Sequence, residues 1–186
     1  MDWCRYMRRG ERVRKQVEDE LHEFVVARYV HLRRTAYLLC GDWHRAEDLV
    51  QTALAKVVVA ARRRKVDSLD AYTRRTLLRV YLDDSSRARW RRERSWPEMN
   101  DTAAPVADHD VALTVVAALR SLPPRQRAAM VLQYWEDRDV AETAALLGVV
   151  PGTVKSQCAK AVAALRIALA DFPHDDVEQK KVNSDA

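Results

Sequence analysis

Leu21, Val25, Tyr29, Leu32, Ala36 and Leu39 recur at spacings of three and four residues. Only an α-helix gathers such a set on one side, because its 3.6-residue period stacks i, i+3, i+4 and i+7 along one face. The stripe predicts a helix over 18–39. Gly41 ends it and Asp42 is placed to cap the next. The same period returns in Ala46, Leu49, Val50, Ala53 and Val57, a helix over 43–63 that runs out into Arg62-Arg63-Arg64-Lys65. It returns again over 69–92, with Leu69, Tyr72, Leu77 and Val80 inward and Asp67 or Ser68 as cap. No stretch alternates with period two, so nothing here reads as a strand.

Ser95–Asp110 changes character. It holds two prolines, the acidic residues Glu98, Asp101, Asp108 and Asp110, and few large apolar side chains. That composition reads as a flexible acidic linker. Beyond it come a helix over 111–120, a Pro123-Pro124 break and a helix to about Trp135. Asp139 and Glu142 then have capping-box spacing. Val140, Ala144 and Leu147 give a short helix its inner face, Gly148 supplies the turn, and Pro151 suits the first position of the following helix. Val154, Cys158, Ala161 and Leu165 form that helix's buried stripe. Thr153, Ser156, Gln157 and Lys160 fall together on its other side, with Lys155 beside them. Hydroxyls, an amide and a cation are what groove reading needs. That face alone fits a solvated helix equally well; the short helix, glycine turn and second helix together favour a DNA-binding helix-turn-helix.

The fold expected is therefore all-α: two small helical domains joined by a flexible acidic linker, the C-terminal one containing the helix-turn-helix. The boundaries read are a basic, irregular N-terminal extension over 1–17, a first domain over 18–94, the linker over 95–110, a second domain over 111–170 and a polar tail over 171–186. The net charge is +5, mostly an arginine excess, with a pI near 9.3, which favours an anionic partner. The segment "RARWRRER" (87–94) concentrates five arginines around Trp90. Arginines bind phosphates with steep salt dependence, and a tryptophan offers a stacking face to an unpaired base. The bland alternative is a solvated helix end with Trp90 half buried.

Cys4, Cys40 and Cys158 are odd in number and far apart, which suits neither a disulfide framework nor a zinc knuckle and fits a reducing cytoplasm. No apolar run approaches the roughly 18 residues of a membrane span, and residues 1–20 are too charged for a signal peptide. An enzyme reading rests on Asp19-x-x-His22 and His44-x-x-Glu47 as metal ligands in a helical bundle. The second pair runs in reverse order and starts a helix beside solvent. No Gly-rich phosphate loop, nucleophile elbow or Cys/His zinc spacing accompanies it, so no cofactor and no catalysis are expected.

"SLPPRQRAAMVLQYWEDRDVAETAALLGVVPGTVKSQCAKAVAALR" (121–166) resembles the C-terminal conserved region of bacterial sigma-70 family factors, most strongly the extracytoplasmic-function (ECF) subfamily. "GDWHRAEDLVQTALAKVV" (41–58) resembles the family's N-terminal signature. Two motifs in the right order, with a linker between, make the resemblance specific over about residues 20–168. It implies a non-catalytic initiation subunit that binds core RNA polymerase through Glu47, Asp48, Leu49 and Gln51. It implies that the first domain's third helix reads and opens the −10 promoter element, for which Tyr81, Arg87, Arg89, Trp90 and Arg91 are the candidates. The helix-turn-helix then reads the −35 element through Thr153, Lys155, Ser156, Gln157 and Lys160. An anti-sigma protein belongs among the partners the family allows.

Three positions depart from the family pattern. Val80 stands where an Asn is common, Val150 where a Ser often caps the recognition helix, and Lys160 where Arg is frequent. A helix-turn-helix regulator that never joins polymerase is the competing reading, and "AEDLVQ" is the feature it has no use for.

Overall fold

The computed structural model describes residues 3–63, 66–94 and 111–170, the side chains of 3–14, 16–17, 91–94 and 111–112 excepted. Seven helices appear among them: α1 (Trp3–Cys40), α2 (Trp43–Arg63), α3 (Leu69–Arg94), α4 (Val111–Ser121), α5 (Pro124–Met130), α6 (Val140–Leu147) and α7 (Pro151–Ala168). A π-helical turn, Val131–Trp135, follows α5. The acidic linker, the polar tail and the basic extension's side chains other than that of Lys15 lie outside the described residues.

α1 begins at Trp3, well before the expected residue 18. The segment read as irregular lacks an apolar stripe, yet it also lacks any proline and has only Gly10 as a breaker. Arg, Lys, Glu and Gln are good helix formers, so an established helix extends backwards through them. The expected inner residues of α1 are buried or half-buried, and those of α2 are all buried. Gly41 turns the chain between them at φ +72°, and Asp42 Oδ1 accepts the Arg45 N–H at 2.7 Å. Ser68, rather than Asp67, caps α3, accepting the Ala71 N–H at 3.2 Å.

The second domain follows its sequence closely. Leu122, Ala129, Ala144, Val154, Cys158 and Ala161 close a small core around the helix-turn-helix. What periodicity does not reveal is that the two domains share a second core. Ala128, Val131 and Leu132 of α5 and the π-turn are buried among Leu32, Leu39, Leu49, Leu77 and Tyr81 of the first domain. Arg127 Nη1 reaches across to donate to the Leu39 carbonyl at 2.6 Å.

A buried carboxylate ties this seam. Glu136 follows the π-turn, and its side chain is only 2 % exposed. Thr35 Oγ1 and Arg74 Nη1 both donate to it, and His31 Nε2 lies 2.9 Å away. Trp135 Nε1 donates to the same Thr35 hydroxyl at 3.2 Å. Arg74 also pairs with Asp70 at 3.0 Å. A charge so buried is tolerable only with its partners in place.

Candidate nucleic-acid and protein-docking interfaces

The helix-turn-helix is built by local rules. Asp139 Oδ1 accepts the Glu142 N–H at 2.7 Å, and Glu142 Oε2 accepts the Asp139 N–H at 3.3 Å, closing the capping box. Gly148 turns at φ +66°, a conformation strained for any residue with a Cβ. α7 begins at Pro151 with no side-chain cap at Val150. The Thr153 N–H, one of the two that a capping Ser could have satisfied, donates instead to the Val150 carbonyl at 2.9 Å. We predict that Asp139→Ala lowers stability by about 1 kcal/mol in urea unfolding, the usual cost of an N-cap. An unchanged midpoint would mean that packing alone sets α6.

On α7, Lys155, Ser156 and Lys160 are exposed and Thr153 and Gln157 are half-exposed, all five apart from the buried Val154, Cys158 and Ala161. Gln157 Oε1 is turned inward and has no hydrogen-bond partner among the described residues. Turning this amide outward therefore sacrifices no hydrogen bond among the described residues.

Asp48 and Gln51 of α2 are exposed, and Glu47 is half-exposed. Glu47 is held in place: Tyr29 Oη donates to its Oε1 at 3.1 Å and Arg33 Nη2 stands 3.9 Å from Oε2. Burial, reinforced by Glu47, pushes the Tyr29 phenol up and keeps it a donor. Leu49 is different. At 4 % exposure it belongs to the core and can only position the helix that carries its neighbours. Sequence reading missed Trp43, which is 44 % exposed and four residues before Glu47, hence on the same face. It stacks on Tyr37 with centroids 3.9 Å apart, and the Arg33 guanidinium sits 4.9 Å above it. An aromatic one turn ahead of an acidic pair was the available signal.

At the end of α3, Arg87, Arg89 and Trp90 are exposed, Trp90 by 57 %. Arg87 lines a cleft of about 220 Å³ with Asp48 and Lys56, so the surface of α2 adjoins that of α3. Arg45 and Asp84 brace the two helices at 2.5 Å. Tyr81 does not reach this surface. It is 1 % exposed, because its ring fills the core shared by the domains. The Arg91 side chain lies outside the described residues.

Asp19, His22 and His44 are exposed, while Glu47 is engaged by Tyr29. Among the described residues no group of three His, Cys, Asp or Glu is arranged to hold a metal ion. Cys40 and Cys158 are buried and free, and burial pushes both thiols up. No described helix is long and apolar enough to cross a membrane.

A helix-turn-helix module packs on a three-helix module, and each has an exposed polar or basic face. Residues 24–92 match the family model for sigma-70 region 2, and residues 112–165 match that for sigma-70 region 4. The chain is 36 % identical over 160 residues to the RNA polymerase sigma-E factor of Streptomyces coelicolor, covering 79 % of this chain and 84 % of that protein. It is 33 % identical over 135 residues to the ECF RNA polymerase sigma factor SigM of Mycobacterium tuberculosis, covering 72 % and 69 %. Its fold is similar to that of the sigma factor RpoE, solved with the anti-sigma factor NepR from Bartonella quintana. The TM-score is 0.64 at 24 % identity, over 82 % of this chain and 98 % of that one. The chain belongs to the sigma-70 family of RNA polymerase sigma factors, in its ECF subfamily, and directs promoter-specific transcription.

Proposed function

We propose that this factor docks on core polymerase through an α2 patch of Trp43, Glu47, Asp48 and Gln51, with Leu49 holding the helix beneath. Arg87, Arg89 and Trp90 take the −10 element, the arginines on phosphates and the indole on an unstacked base. Arg91 is carried with them on sequence alone. Thr153, Lys155, Ser156, Gln157 and Lys160 read the −35 element. The protein works without catalysis of its own, in the cytoplasm, and is held in reserve by an anti-sigma protein. The observation that carries this reading is that the described members of all three surfaces, Leu49 apart, are exposed or half-exposed, while the apolar stripes of the helices that carry them are buried.

One consequence follows from the shared core. The centres of the two promoter elements lie roughly 85 Å apart, about 25 base pairs at 3.4 Å per step. Domains of this size have radii of gyration of only about 10–12 Å. Domains in contact therefore do not reach both elements, and docking on polymerase must part them.

The −35 assignment is tested on duplex DNA. Gln157→Ala is expected to redistribute sequence preference at one or two base pairs, each by about 1–3 kcal/mol, with the salt slope unchanged. Lys160→Ala is expected to weaken all sequences alike and to flatten the slope by about one unit. Loss of preference in the lysine variant and of slope in the glutamine variant would reverse the two roles.

A further inference from the structure

The seam between the domains also holds a cavity of about 600 Å³, which shares only Arg89 with the residues proposed for DNA. Arg45 of α2, Arg89 of α3, Arg120 of α4 and Arg125 and Arg127 of α5 line it, against Asp83 as the one lining carboxylate. Asp84 offsets Arg45 at 2.5 Å. Arg127 is matched differently. Its Nη1 donates to the Leu39 carbonyl at 2.6 Å, and its Nη2 to those of Arg120 and Leu122 at 2.5 and 3.0 Å. These bonds orient the guanidinium and leave its charge without a carboxylate partner among the described residues. Burial, with the charges of Arg120 and Arg45 nearby, pushes Arg127 below the ordinary guanidinium value. The Arg120 side chain lies across Gly41 at the cavity's edge, where an added Cβ would meet its Cδ at 2.2 Å.

A concave wall with an excess of cations focuses positive potential, and guanidinium forks match phosphate oxygens. The volume falls within the usual range for small-molecule sites. A polynucleotide strand needs an open track instead, and Arg87, the other described arginine of 87–94, faces the separate cleft beside Asp48. We propose that this cavity binds a compact, multiply charged phosphate ester of nucleotide size. Because its wall comes from both domains, such a ligand holds them together. If the promoter-spanning reading is right, it thereby opposes the parting that initiation requires. The binding itself is independent of that reading.

The test is titration calorimetry on the full chain with ATP and with inorganic tripolyphosphate, free of magnesium and at constant ionic strength set by sulfate. Saturable one-to-one binding of at least one of the two is expected. R120A and R125A, which change exposed side chains and can be checked for helicity, should each weaken it at least about tenfold, the value of one charge-assisted contact. R166A, on exposed α7 surface, should not. No saturable binding at millimolar ligand overturns the proposal, as does an equal loss in R166A, which would mark general charge attraction. Tighter binding of a single-stranded oligonucleotide that displaces the phosphate would also overturn it, reassigning the cavity to nucleic acid.

Discussion

Glu136→Ala is expected to cost about 3–5 kcal/mol of stability, a change of about two to four orders of magnitude in the folding equilibrium. The carboxylate is 2 % exposed and receives Arg74 and Thr35, with His31 at 2.9 Å. Arg74 is itself only 8 % exposed at its side chain. Removing the acid leaves the guanidinium buried, with Asp70 as its remaining anion. Such a loss comes mainly from stranding a charge, and removing both charges should cost much less. Glu136→Leu combined with Arg74→Met is therefore expected to regain most of the deficit in equilibrium urea unfolding. If the single variant loses less than about 1 kcal/mol, the seam is not held by this carboxylate. Scattering or distance labels across the seam would show whether the loss appears as domain separation or as global unfolding.

The second large effect concerns polymerase. Asp48→Arg together with Gln51→Ala is expected to lower affinity for core polymerase by about ten- to a hundredfold, in the range set by a few central contacts of an interface. Both side chains are exposed and neither joins a core cluster, so stability should move by no more than about 0.5 kcal/mol. Affinity for an isolated −35 duplex should stay within about twofold, since α7 carries that surface. Parallel loss of polymerase and −35 binding would show that the two domains do not divide the work in this way.

Much of this was legible in the sequence, for reasons visible in particular residues. The set Ala46, Leu49, Val50, Ala53 and Val57 is buried as its spacing required, and Asp139, Gly148 and Pro151 place the helix-turn-helix by cap and turn chemistry. Periodicity says which face of a helix is covered but not what covers it. The apolar side of α5 could have closed its own domain; instead Ala128, Val131 and Leu132 are shared with the first. Glu136 lies 101 residues from Thr35 and 62 from Arg74, and no local rule connects them. Tyr81 and Leu49 show the converse. A resemblance assigns a function to a stretch of helix, and the helix period then sends some of its members inward. The early start of α1 was hidden because charged helix formers leave no stripe.

The most direct measurement is transcription from a promoter library by core polymerase with and without this protein. Added alone, it should confer initiation at a restricted set of start sites, each lost when either the −35 or the −10 element is scrambled. Asp48→Arg with Gln51→Ala should abolish that initiation while −35 binding persists. If the protein binds DNA yet core polymerase gains no specific start sites, it is a DNA-binding regulator and not an initiation subunit.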